Sequence, residues 1–261
     1  MKKSLLDVLF KSEKRKNTLI MLQEETKEME TLLTSLNTTR QALLPQIRIL
    51  QDNYLVTQHK DTYELTTIGK LIVDEMVPLL DTIDFLDIDI DYWGTHNLNF
   101  IPPYLLNRLN ENKNGKIITP SLVDIYEVNK DFIENANSSS SLYFIFTFMH
   151  PTFIPLIYKF IENNIDVSII LTKELLKIIK AEYYDDLKNH FMHENIKFYL
   201  YEKDIKIGSF SLSDYHLILR LLTRNNEYDN KQLFFSDQKA LQWGKELFDY
   251  YLKDSILITE P

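Results

Sequence analysis

The chain contains no cysteine, which removes disulfides, thiolate metal sites and cysteine nucleophiles together. Glycine is nearly as scarce: five residues, at 69, 94, 115, 208 and 244, each standing alone. No Gly-rich phosphate loop, no dinucleotide-binding G-x-G-x-x-G and no G-x-S-x-G elbow fits around them. No apolar run reaches the ~18 residues of a membrane span. The N-terminal MKKSLLDVLFKSEKRKN has too short an apolar stretch, and no small-residue cleavage site, for a signal peptide. These absences lead us to expect a cytoplasmic protein without cofactor, metal or membrane partner. Positive charge is the last shortage: 29 Lys and Arg face 38 Asp and Glu, a net charge of −9. Residues 1–66 carry ten basic against nine acidic residues, and the remainder 19 against 29. The first quarter is therefore the less acidic end, the one suited to facing a polyanion.

What is present is apolar and aromatic: 44% and 12% of 261 residues, enough for two ordinary domains. Residues 27–66 are the most informative. Met29, Leu32, Leu33 and Leu36 form one apolar stripe at helical spacing. Asn37, Thr38 and Thr39 follow as capping types, and Leu43, Leu44, Ile47 and Leu50 form a second stripe. Leu55-Val56 and Tyr63–Leu65 then read as two short strands around a polar turn, His59 to Thr62. Helix, turn, helix and hairpin in that order predict a winged helix-turn-helix, a duplex-reading motif. Thr38, Thr39, Arg40, Gln41 and Gln46 fall near the start of the second helix, on the side away from its apolar stripe. Arg, Gln and Thr are base-reading types. Arg48 and Lys60 are placed to meet phosphates, and so is the cluster Lys2, Lys3, Lys11, Lys14, Arg15 and Lys16. A plain helical hairpin with a β-ribbon, or a solvated basic face, accounts for the same residues without DNA. Pro45 is the discordant residue, because proline inside a helix removes a hydrogen bond and is expected to kink it.

A long apolar stripe, Ile68 to Ile83 with Pro78 within it, predicts a linking helix. At residue 84 the pattern breaks into DFLDIDIDYWGTHNLNFIPP, and we place the domain boundary there: 1–83 and 84–261. Beyond it, strands are expected at 116–118, 142–149, 166–171, 197–201, 207–212, 216–222 and 232–235. Helices are expected at 121–135, 152–163 and 173–192, with a last one from Ser236-Asp237. Alternation of strand and helix implies an α/β domain with parallel pairs in a mixed sheet, so the chain is α+β overall.

Tyr92, Trp93 and His96 in YW-x-x-H, the IPPYLLNRL run at 101–109, FMHP at 148–151 and SDQKALQWGKELFDYYLKDS at 236–255 resemble the domain of archaeal, chiefly methanogen, regulators of methanogenesis and filament formation. The resemblance spans most of the chain. It implies a transcription regulator with a C-terminal effector or sensing domain. The strand order is also similar to one half of the phospholipase D fold.

Enzyme motifs fail individually. The phospholipase pattern H-x-K-x4-D, begun at His216, meets Ile218 and Thr223 instead of Lys and Asp. A calcium loop begun at Asp87 meets Tyr92 and Leu98 where Gly and a carboxylate belong. His190 and His193 lack a third ligand. His150 is different, because it ends an apolar strand and precedes a helix, where α/β sheets place ligands. Trp93, His96, Asp214, Tyr228 and Trp243 are the aromatic and polar residues expected to join it in a small-molecule pocket, though for Trp93 and Trp243 core packing is the stronger reading. The expectation is a homodimeric DNA-binding regulator whose C-terminal domain senses a small effector. Its rivals are a hydrolase on that domain and a ligand-free adaptor.

Overall fold

A computed structural model describes residues 4–112, 114–121, 129–148, 150, 152–184, 188 and 193–259. The chain divides into two compact units, Met1–Asp81 and Thr82–Pro261.

The N-terminal unit is built on α1 (Leu5–Phe10), α2 (Glu13–Glu24), β1 (Lys27–Glu28), α3 (Met29–Ser35), α4 (Arg40–Asp52), β2 (Val56–His59), β3 (Thr62–Leu65) and the start of α5 (Thr67–Leu86). The basic N-terminal stretch is thus not one helix. Ser12 breaks it, accepting a hydrogen bond from the Arg15 amide as the cap of α2. Residues 27 and 28, expected in a helix, are a strand instead. Lys27 pairs with Tyr63 and Glu28 with Thr62, giving a three-stranded sheet in the order β1-β3-β2. The core holds Leu19, Leu22, Met29, Leu32, Leu43, Ile47, Leu50, Tyr63 and Val73, so both predicted stripes point inward. Helix α5 is anchored at its start by Thr66, whose hydroxyl accepts from the Gly69 amide and donates to the Tyr54 carbonyl. Gly69 is required there: a Cβ would lie 2.0 Å from the Leu55 carbonyl oxygen. Pro78, expected to bend this helix, lies inside α5, which continues to Leu86.

The second unit adds α6 (Ile90–Thr95), α7 (Pro103–Leu106), β4 (Lys116–Ile118), α8 (Lys130–Ala136), β5 (Ser141–Phe146), α9 (Phe153–Glu162), β6 (Asp166–Thr172), α10 (Lys173–Glu182), β7 (Ile196–Tyr201), β8 (Ile207–Leu212), β9 (Leu217–Leu221), β10 (Gln232–Phe235), α11 (Gln238–Lys253) and β11 (Ile256–Leu257). Its mixed sheet has the order β11-β7-β6-β5-β8-β9-β10-β4. Strands β5, β6 and β7 are parallel, as the strand–helix alternation predicts. Strands β5, β8, β9, β10 and β4 are antiparallel neighbours. Residues 122–128 of the predicted 121–135 helix, and the predicted helix beyond Tyr184 apart from Lys188, lie outside the described residues, while the end of the first is α8.

Strand alternation divides the core between the two faces of this sheet. One face meets α11: Trp243, Leu247 and Phe248 pack with Phe210, Leu212, Leu217 and Leu219. The other meets α8, α9 and α10: Phe132, Ile157, Phe160, Leu175 and Ile179 pack with Leu142, Phe144, Val167 and Ile169. Among the described residues no helix is long and apolar enough to cross a membrane.

Candidate functional site

In the N-terminal unit, α4 turns one polar edge outward. Gln41, Pro45, Arg48 and Asp52 are exposed at helical spacing, and Arg40 is exposed at the helix start. Pro45 takes its place on this outer edge. The hydrogen bond it cannot give would have run to the Gln41 carbonyl, also on the wet side, so the helix continues at limited cost. Thr39 is the cap residue of α4, but its side chain makes no capping bond; its carbonyl accepts from the Ala42 and Leu43 amides. Asn37 adopts φ 43°, and the Thr38 amide donates to the Leu33 carbonyl, which closes the turn between α3 and α4. Arg40 lies 3.5 Å from both Glu30 and Asp61 carboxylates, a loose, exposed pairing that contributes little and that phosphates can displace. Lys60 stands exposed at the hairpin tip in the left-handed region, φ 58°.

Two residues do not sit where the sequence suggested. Gln46 turns inward, its Oε1 accepting from Arg15 Nη1 at 2.6 Å. Arg15 is 5% exposed and donates also to the Val8 carbonyl at 2.6 Å and the Asp7 carbonyl at 2.9 Å. It belongs to the core framework rather than to a phosphate-facing cluster. Lys11 and Lys16 pair with Asp7 and Glu13, and Lys2 and Lys3 lie outside the described residues.

In the C-terminal unit a cleft lies beside α8 and α9. Its floor is the sheet. Phe146, Ser209 and Arg220 form one cross-strand row over β5, β8 and β9, and Phe144, Ser211 and Ile218 the next. Phe132, Phe148, Leu156, Ile157 and Phe160 build apolar walls, and His150 and Thr152 stand at the β5 end. Arg220 is 9% exposed; Nη1 donates to Ser209 Oγ at 3.3 Å. Burial pushes its pKa below the usual arginine range, yet a guanidinium remains charged at neutral pH. The Thr152 amide donates to His150 Nδ1 at 3.3 Å, and Thr152 Oγ1 lies 2.8 Å from the same nitrogen. Nδ1 is therefore the acceptor, and in the neutral ring Nε2 carries the proton. Burial, and then the charge of Arg220, hold the His150 pKa below its ordinary value. Among the described residues the hydroxyl within reach of His150 is that of Thr152, two residues along, a local turn contact.

Of the residues expected around His150, Tyr228 comes closest. It is exposed and meets Phe148 edge-on at 4.9 Å between ring centroids. Trp93, His96 and Trp243 are held on the α11 face. Trp93 packs against Phe85 with the rings tilted, 4.7 Å between centroids. Trp243 Nε1 donates to the Leu105 carbonyl at 3.0 Å. His96 is buried against Asp229, with Nε2 to Oδ2 3.0 Å. Asp214 lies before the opposite end of β5, accepting from the Ser140 amide at 2.7 Å. Sequence reasoning missed Arg220, Ser209 and Ser211. The signal was there: Arg220 is the one charge inside the apolar run HLILRLL, and two serines alternate with Phe210 and Leu212.

The model for the N-terminal domain of the methanogenesis regulatory protein FilR1 matches residues 3–84, and the model for its middle domain matches residues 125–254. The chain belongs to the FilR1 family. The methanogenesis regulatory protein FilR1 of Methanothrix harundinacea (strain 6Ac) is 24% identical over 97% of this chain. The alignment spans 58% of that relative's length. Among solved structures, TrmBL2, an archaeal chromatin protein with its own mode of DNA binding, aligns over 97% of both chains at 14% identity and TM-score 0.41. The phospholipase D family member Nuc of Salmonella typhimurium aligns over 55% of this chain and 98% of its own, at 12% identity and TM-score 0.39. At these scores the two likenesses carry nothing further.

Proposed function

We propose that this FilR1-family chain is a DNA-binding transcriptional regulator, with residues 1–83 reading the duplex and residues 84–261 sensing a small effector. The observation that carries the first half is α4: a helix on a filled core, with Arg40, Gln41 and Arg48 on its outer edge and the β2–β3 hairpin beside it. Thr39, Arg40 and Gln41 face base edges. Arg48 and Lys60 neutralise phosphates. Thr38 shapes the turn that aims the helix, and Gln46 holds it from behind through Arg15.

Two phosphate contacts per head are few, which favours a homodimer. Ile68, Leu71, Leu79 and Ile83 leave an exposed apolar stripe along α5 that a second copy covers. Two half-sites roughly 34 Å apart then suit the pair. The cleft at His150 is the effector site. Phe148, Arg220 and Tyr228 join it, whereas Trp93, His96, Trp243 and Asp214 serve the fold.

The test is fluorescence anisotropy with duplexes upstream of the protein's own gene, across a salt titration. Four neutralised phosphates give a log–log slope of about −4. Arg40→Ala should abolish preference for the specific duplex with the fold intact. Unchanged affinity for that variant at every salt concentration sinks the proposal.

A further inference from the structure

Arg220 is a cation enclosed in a mostly apolar cleft. Among the described residues one of its five donors is used, on a neutral serine. No Asp or Glu stands among the described residues lining the cleft, whose other polar side chains are Ser209, Ser211, Thr152 and His150. A buried guanidinium without a carboxylate is costly to the fold and is usually kept for a partner that arrives from outside. The two serines lie on the same side of the sheet in the rows of Arg220 and Ile218, so their hydroxyls can complete the coordination of an oxyanion. Five phenylalanines, at 132, 144, 146, 148 and 160, line the rest. They suit an apolar or aromatic body and reject a strongly hydrated one.

We infer that the cleft binds a small monocarboxylate with an apolar body, its carboxylate on Arg220 between Ser209 and Ser211 and its body against the phenylalanines. The inference rests on the reading of this cleft as the effector site. One guanidinium matches one negative charge. A phosphate monoester, with nearly two charges at neutral pH, brings one charge too many, because His150 is held neutral by burial and by Arg220 itself. The planar guanidinium fork also fits a carboxylate through two parallel hydrogen bonds.

The probes are 3-phenylpropionate and hexanoate, their alcohols 3-phenylpropanol and 1-hexanol, and phenyl phosphate, each titrated by calorimetry and thermal unfolding on the full chain. The carboxylates should bind about tenfold or more tightly than their alcohols, as a charge-assisted hydrogen bond requires, and more tightly than phenyl phosphate. Arg220→Met should keep or raise the unliganded Tm and erase the preference for acid over alcohol. The comparison of acid with alcohol in the unsubstituted chain decides the matter even where a variant fails to fold. Equal affinity for acid and alcohol overturns the carboxylate assignment and leaves the effector site standing. Tightest binding by phenyl phosphate overturns it in favour of a dianion. No binding by any probe overturns both.

Discussion

Arg15 and Arg220 are both almost fully covered, one in each unit, and their surroundings differ in kind. Arg15 gives three hydrogen bonds, to the Val8 and Asp7 carbonyls and to Gln46. It ties α1 and α2 to the back of α4, and its burial is a structural matter settled within the chain. Among the described residues Arg220 gives one, to Ser209, and it lines a cleft. A buried cation with its donors used is part of a framework; one with donors to spare is part of a site. The contrast also separates how the units are used. The N-terminal unit presents the polar edge of α4 on its outside, and the C-terminal unit encloses Arg220 on the α8–α9 face of its sheet.

The largest effect should come from Arg15→Ala. It leaves buried acceptors without donors, and hydrogen bonds to a charged group contribute ~1.5–3 kcal/mol each. We expect the N-terminal unit to lose about 3 kcal/mol in urea unfolding, with the C-terminal transition unmoved. A loss under ~1 kcal/mol would place Arg15 in the same class as Arg220 and end the comparison. Gly69→Ala comes next. Its Cβ meets the Leu55 carbonyl, an overpacking that costs ~1–3 kcal/mol, read by the same transition and expected to weaken DNA binding through the displaced hairpin.

Arg220→Met should run the other way. Replacing a desolvated cation with an apolar side chain of similar reach is neutral or stabilising by about 1 kcal/mol, measured on the C-terminal transition; clear destabilisation would mean that Arg220 is structural after all. The smallest effect concerns pH. His150 and His216 are both held below the ordinary histidine value, first by burial. The unfolded chain then binds more protons than the folded one as pH falls through about 6.5. Stability of the C-terminal unit is therefore full above that pH and declines below it. In Arg220→Met the decline should be shallower, since the cationic neighbour of His150 is gone. An unchanged slope would detach His150 from Arg220.

Much of this organisation was legible in the chain itself. The stripes of α3, α4 and α5 and the bounds of β4, β8 and β10 follow from periodicity. Elements α2, β1, α6, α7 and β11 escaped it. Helix α2 reads EKRKNTLIMLQE, and the inward Arg15 breaks its apolar stripe, so spacing alone hides it. Strand β1 is two residues long and exists because the hairpin beside it accepts its pairing. His150 was visible from its place at a strand end. Trp93, His96 and Trp243 were drawn toward it by residue type, yet they lie on the α11 face.

The apolar stripes of α3 and α4 and the exposure of Arg40, Gln41 and Arg48 needed only the sequence, because each depends on neighbours a few residues apart. Which arginine is spent and which is free needed the tertiary structure. Ser209 and Arg220 are eleven residues apart and Phe146 lies on a third strand, and only the register of β5, β8 and β9 sets them in one row under the cleft.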